Sequence, residues 1–365
     1  MSWRLPAAQA GATVDRAYIS ALIDAHAAFF DAALPLVVAR APGRLDLMGG
    51  IADYSGSLVL ELPLAAAAYV VAQATPDAAI TMRSLQAADI DAATNVTIPF
   101  ADLAPNGTPL AYNAAHTLLS ADPAAQWAAY IAGALVVLGH ERGVRINRGV
   151  RVLIDSHVPP GKGVSSSAAI EVAAMQAICA LYELKPTGRE LALLCQKVEN
   201  LVVGAPCGVM DQMTAACGAQ DALLALRCQP AELEPPVMLP PELEIWGIDS
   251  GIRHAVSGAD YGSVRIGAFM GYRIIADLAG LNINPREQNR PQVTVDDPRW
   301  RGYLANLTPS EWEQHYRRRV PEHLDGAAFL ARYNGTTDAV TTVDPARTYA
   351  VRQPTAHPIY EHQRV

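Results

Sequence analysis

The sequence predicts an α+β fold in two parts. Three observations carry that expectation. Strand-like and helical runs follow one another without a regular βαβ alternation, a Pro- and Glu-rich stretch at Gln229–Pro241 interrupts the chain, and a fresh strand-like run, Leu243–Ile248, follows the interruption. A chain of 365 residues has room for two to three average domains or one large two-domain unit. The expected division is a helical lead-in over 1–36, a first lobe over 37–235, and the start of a second lobe over 242–365.

The elements follow from local pattern. Thr13 can cap a helix whose apolar positions Val14, Ala17, Tyr18, Ala21, Leu22 and Ala25 share one face. Strand-like runs come next at Leu36–Ala41, Ser57–Glu61, Ala67–Ala74, Ala79–Arg83 and Val96–Phe100. Ala124–Leu138 has helical periodicity, and Val150–Ile154 is a β-branched strand. Helices are expected at Ser166–Tyr182, Gly188–Val203 and Asp211–Cys217.

Composition narrows the function classes. Hydrophobic residues make up 51% of the chain, with 26 Gly and 26 Pro, which is globular rather than disordered. A net charge of −8 gives no electrostatic reason to bind nucleic acid or an acidic membrane. The five cysteines (Cys179, Cys195, Cys207, Cys217, Cys228) show neither CxxC nor metal-site spacing and read as free thiols. The longest apolar run, Leu58–Ala74, is broken by Glu61 and Pro63, so no membrane span is expected. No basic region followed by an apolar stretch opens the chain, and a cytoplasmic location is the expectation.

Three stretches carry chemistry. Pro42–Tyr54 places Arg44, Asp46 and Asp53 on glycine-punctuated backbone between two core elements, an arrangement suited to a polyhydroxylated ligand. Pro159–Ala168 joins the strand at Val150–Ile154 to a helix. Its glycines allow close backbone approach, the helix start offers unpaired N–H groups, and three serine hydroxyls can bond phosphate oxygens, one of them Mg²⁺. The GxxxxGK spacing of a Walker A loop fails, because Lys162 is followed by Gly163. Glu199 falls near a helix end, where the dipole disfavours an anion. Asp211 opens a short helix among Val209, Met210 and Met213; alone it reads as a helix cap, yet in such surroundings a carboxylate can serve as a general base.

Taken in order, Arg44–Tyr54, Pro159–Ala168 and Glu199–Gly218 resemble the galactokinase, homoserine kinase, mevalonate kinase and phosphomevalonate kinase (GHMP) superfamily, and within it the galactokinase-like branch. Gly49-Gly50-Ile51-Ala52-Asp53-Tyr54-Ser55-Gly56-Ser57, Gln196–Asn200 and Trp246–His254 are further similar to kinases of the arabinokinase type. The resemblance implies two lobes, an amino-terminal one of ribosomal-protein-like type and a carboxy-terminal α/β sandwich. It implies ATP on the loop Pro160, Gly161, Lys162, Gly163, Val164, Ser165, Ser166, Ser167 and Ala168, with Mg²⁺ held by Ser167 and Glu199. It implies Asp211 as base and Arg44 as its partner, with Arg44, Asp46, Gly50, Ile51, Asp53, Gly208, Asp211 and Tyr261 around a sugar. The partners expected are thus a small sugar and ATP.

Two departures sharpen the expectation. Gly50-Ile51 stands where galactokinases carry Glu-His, and Asp46 replaces their asparagine. The resemblance then implies a sugar lacking C6, L-arabinose, phosphorylated at its anomeric hydroxyl; galactokinase, glucuronokinase and fucokinase activities stay open, as does a non-catalytic sugar and nucleotide sensor. The superfamily's third, glycine-rich motif is missing between Gly302 and Val365, so the second lobe is expected to be incomplete by about a hundred residues.

Overall fold

The computed structural model describes residues 15–251, 259–286 and 291–365. The chain forms two compact units that interleave along the sequence. Met1–Gly43, Leu64–Pro160 and Ser165–Val203 make the first, and Arg44–Pro63, Gly161–Val164 and Gly204–Val365 the second. The longer strands are β1 (Val37–Met48), β2 (Leu58–Thr75), β3 (Ala79–Ser84), β4 (Asn95–Pro99), β5 (Gly149–Ser156) and β6 (Ala222–Arg227).

In the first unit the strand order is β4-β3-β5-β2. β4 and β5 flank β3, antiparallel (Ile80 opposite Ile98) and parallel (Ile80 opposite Val150) respectively, and β5 meets β2 antiparallel with Ile154 opposite Val70. β5 is buried along nearly its whole length, as a strand covered on both faces must be. The helix Arg16–Ala25 starts at Asp15, whose carboxylate accepts from the N–H groups of Ala17 and Tyr18, each at 3.0 Å. Thr13, the expected cap, lies outside the described residues. Ile19, Leu22 and Ile23 of this helix pack with Phe29, Phe30, Val71 and Leu153.

The helix Ser166–Leu181 buries Ala168, Val172, Met175 and Ile178, being apolar nearly all round. The helix Gly188–Lys197 opens on a Thr187–Glu190 capping box and then widens into a π-helical turn, Val198–Val203. One regular helix is expected over 188–203, so the wider turn is a local departure. It carries Glu199.

In the second unit Leu58–Glu61 of β2 pairs antiparallel with Leu224–Arg227 of β6. The core gathers around the helix Ala259–Leu278, with Trp300, Trp312, Phe329, Tyr349 and Ile359 buried against it. The helix Arg352–Arg364 approaches it closely: a Cβ at Gly271 would lie 1.7 Å from Thr355 Oγ1, and one at Gly267 would lie 2.1 Å from the carbonyl oxygen of Ala350. Bare glycine backbone is what permits this crossing.

Three expectations change. The runs Ser57–Glu61 and Ala67–Ala74 are one strand, with Pro63 falling between the stretch that pairs with β6 and the stretch that pairs with β5. The segment Pro42–Met48 is strand, not loop. Leu243–Ile248 is not a strand: its backbone is irregular, and Ile248 is 94% exposed. An apolar alternation makes a strand only when a neighbouring strand pairs with it. Among the described residues no helix is long and apolar enough to cross a membrane.

Candidate functional site

Arg44 and Asp46 are two residues apart on β1 and therefore point to the same side of the strand. The chain then turns through Gly49 and Gly50, both at positive φ (143° and 54°), into the 3₁₀ turn Gly50–Ser55 that carries Ile51 and Asp53. The backbone N–H of Gly50 donates to the Asp46 carboxylate. Ile51 is half-buried within this turn.

The centre of the site is an ion pair. Arg44, 6% exposed, donates from Nε to Asp211 Oδ1 at 3.0 Å, and its Nη2 donates to the same oxygen. Asp211 sits in the first turn of the helix Met210–Cys217, whose N-cap position is Val209. Its side chain is thus committed to Arg44 rather than to capping. On the backbone side, Arg44 N–H donates to the Val164 carbonyl at 3.0 Å and Nη1 to the Gly163 carbonyl at 3.4 Å. Burial alone would lower the Arg44 pKa, but the surrounding acids, Asp211 foremost, more than offset it and the guanidinium stays charged.

Asp53 is 3% exposed and accepts from Tyr54 N–H at 2.8 Å and, weakly, from Met210 N–H at 3.5 Å. Burial first, and then the charge of Asp211, push its pKa up to about 6. The position facing it must be glycine, since a Cβ at Gly208 would lie 1.7 Å from Asp53 Oδ2. Burial likewise raises the pKa of Asp46. The Tyr261 ring meets that of Tyr54 edge-on at 6.4 Å, and burial together with Asp53 keeps the Tyr261 hydroxyl protonated.

Two features here are missed by sequence reasoning. Glu61 is fully buried with Oε2 3.2 Å from Arg44 Nε, and an acid inside the apolar run Leu58–Leu62 is the visible signal of it. Arg265, one helical turn beyond Tyr261, grips Asp338 through two bonds of 2.8 Å and donates to the Cys207 carbonyl at 3.0 Å. Its guanidinium also lies 5.3 Å from the centre of the Tyr54 ring. This fork fixes the backbone just ahead of Gly208. Only the i, i+4 spacing from Tyr261 hints at it.

The serine-rich loop divides between the units. In the second, Gly161 and Gly163 both adopt φ of 70°, and Lys162 pairs with Asp249 at 2.7 Å. In the first, Ser165 stands at the N-cap of Ser166–Leu181 with φ of 60°, and its hydroxyl makes no capping bond. That hydroxyl is buried without a hydrogen-bond partner. Ser166 donates instead to the Val158 carbonyl at 3.2 Å, Ser167 is half-buried, and Ala168 is fully buried. A helix start left uncapped by its own side chain, behind residues in left-handed conformation, is chemically suited to anionic oxygens. Glu199 is also in the first unit, 2% exposed on the π-helical turn. Of the arabinokinase-like stretch Trp246–His254, the last three residues lie outside the described residues.

Comparison with known proteins follows the same stretches. Residues 129–219 match the GHMP kinases N terminal domain, and residues 24–74 match the galactokinase galactose-binding signature. The chain is 42% identical over 362 residues to an L-arabinokinase of Arabidopsis thaliana, covering 90% of this chain and 35% of that protein. It is 34% identical over 247 residues to a galactokinase of Chloroflexus aggregans, covering 67% of this chain and 57% of that one. The chain thus spans about a third of the arabinokinase and little more than half of the galactokinase. Its fold is that of a Lactococcus lactis galactokinase solved in complex with galactose, with a TM-score of 0.67 at 19% identity over 95% of this chain and 72% of the other.

Proposed function

We propose, from the match of residues 129–219 to the GHMP kinases N terminal domain and of residues 24–74 to the galactokinase galactose-binding signature, that this chain is an ATP-dependent sugar 1-kinase with L-arabinose as acceptor. The observation that carries the reading is the pair of buried Arg44 with partly exposed Asp211, beside Asp53, all within one unit. Asp211 takes the proton of the anomeric hydroxyl as that oxygen bonds to the γ-phosphorus of ATP. The bond from γ-phosphorus to the β–γ bridging oxygen breaks, and ADP leaves. Arg44 holds the Asp211 carboxylate in place and offsets the charge gathering at the reacting oxygens. Asp53, Asp46 and the Tyr261 hydroxyl bind other hydroxyls of the sugar, and the bare backbone of Gly208 leaves room for the Asp53 carboxylate.

The loop Pro160–Ala168 binds the phosphates, with the unpartnered Ser165 hydroxyl among its donors. Ser167 and Glu199 would supply hard oxygen ligands of the kind Mg²⁺ prefers, and the ion would neutralise phosphate charge when bound. Gly50-Ile51 supports a pentose: a C6 hydroxyl next to Ile51 would lose its partners at a cost of about 1–3 kcal/mol, or roughly a five- to hundredfold preference. The similarity to the Arabidopsis L-arabinokinase supports the same acceptor. D-galactose is the second reading, favoured by the match of residues 24–74.

Initial-rate assays of ADP release over a panel of aldoses test both. The expected result is kcat/KM for L-arabinose at least about fivefold above that for D-galactose. Equal values would overturn the choice of acceptor. Sugar and nucleotide binding without ADP release would overturn the kinase reading and select a sensor.

A further inference from the structure

We propose that Glu61 is a positioning residue for the phosphoryl transfer, backing the Arg44 guanidinium from the buried side so that Arg44 stays on Asp211. The proposal rests on the roles given above to Arg44 and Asp211. Glu61 closes the paired stretch of β2, opposite Leu224 of β6, and has no solvent exposure. Its Oε2 lies 3.2 Å from Arg44 Nε, yet neither carboxylate oxygen has a hydrogen-bond partner. An apolar residue would fill this strand position at no desolvation cost, so the acid calls for another reason.

The groups that face Glu61 supply one. Arg44 and Asp46 come from β1, Asp53 from the 3₁₀ turn and Asp211 from the helix Met210–Cys217, while the Cys228 thiol follows β6. Arg44 is the cation that Asp46, Glu61 and Asp211 share, while Arg265 acts on Asp53. Burial, reinforced by Asp46, Asp211 and Asp53 and opposed by Arg44, pushes the Glu61 pKa well above the carboxylate range. Asp211, with 24% of its side chain exposed, is open to a ligand. A neutral Glu61 gives the guanidinium a polar contact without claiming its charge. An ionised Glu61 would compete with Asp211 for Arg44, and the competition grows as pH rises.

The experiment compares Glu61→Gln and Glu61→Ala with the unmodified chain, after circular dichroism has shown all three folded. Glu61→Ala is expected to lower kcat by at least about tenfold with sugar KM little changed, and Glu61→Gln to recover most of that loss. An alkaline fall of kcat is expected in the unmodified chain and should be missing from Glu61→Gln. Should the unmodified chain release no ADP with any aldose, the kinase reading fails by itself. Glu61 is then judged by NMR of the Arg44 Nε–H: exchange protection in the unmodified chain and Glu61→Gln but not in Glu61→Ala supports the positioning role. Equal protection in all three, full activity of Glu61→Ala, or equal damage by both substitutions overturns it.

Discussion

Asp53 and Gly208 depend on each other: the carboxylate occupies the volume that any side chain at 208 would need. Confinement also sets its titration. In the unfolded chain Asp53 titrates at its ordinary value of 3.8, and in the folded chain at about 6. Below pH 3.8 both states hold the proton and the group imposes no penalty. Between those values the unfolded chain ionises first, so stability falls as pH rises, and the deficit of about 3 kcal/mol is complete once pH passes the folded value. Asp53→Asn is expected to remove this slope. Urea unfolding at about pH 4 and pH 7 should show the variant gaining on the unmodified chain by about that amount, while its sugar KM rises if Asp53 grips a hydroxyl. Residue types and their order along the chain suffice to single out Arg44, Asp53 and Asp211. Glu61 and the Arg265–Asp338 fork escape such reading, because their importance comes from neighbours far away in sequence.

Elements were legible where periodicity was strong and misread where punctuation was taken at face value. Pro42 and Gly43 read as the end of a strand, yet β1 continues to Met48, and this is what gives Arg44 and Asp46 a common face. The helix expected over 188–203 keeps its register only to Lys197; the π-helical turn after it reorients Glu199. The helix Arg352–Arg364 bonds directly to the signature segment: Glu361 accepts from Gly49 N–H at 3.0 Å and His362 Nδ1 from Leu58 N–H at 2.9 Å. Its seat against Ala259–Leu278 depends on Gly271. Gly271→Ala is expected to cost about 1–3 kcal/mol by overpacking against Thr355. Gly262→Ala, on the same helix with its nearest neighbour 4.0 Å away at Pro206, should cost nothing by that route. Chemical denaturation of the two variants side by side measures the difference.

At the scale of the whole molecule, three separate stretches, Arg44–Pro63, Gly161–Val164 and Gly204–Val365, build the second unit, and it holds every charged group of the Arg44–Asp211 cluster. A ligand that binds this cluster only in the folded state adds to stability by mass action, about 2.7 kcal/mol at a hundredfold excess over Kd. L-arabinose is therefore expected to raise the melting temperature in a concentration-dependent way, with D-galactose giving a smaller shift at equal concentration. Identical shifts would count against Gly50-Ile51 as the selector. The sequence by itself determined the α+β class, the three chemical stretches and the superfamily they resemble, since these rest on local pattern and on residue types at fixed spacing. Only the tertiary structure decided that Leu243–Ile248 stays unpaired, that Glu61 stands behind Arg44, and that Asp53 needs a bare Gly208. Burial, desolvation and close approach depend on what surrounds a residue in space, and no window of sequence contains that.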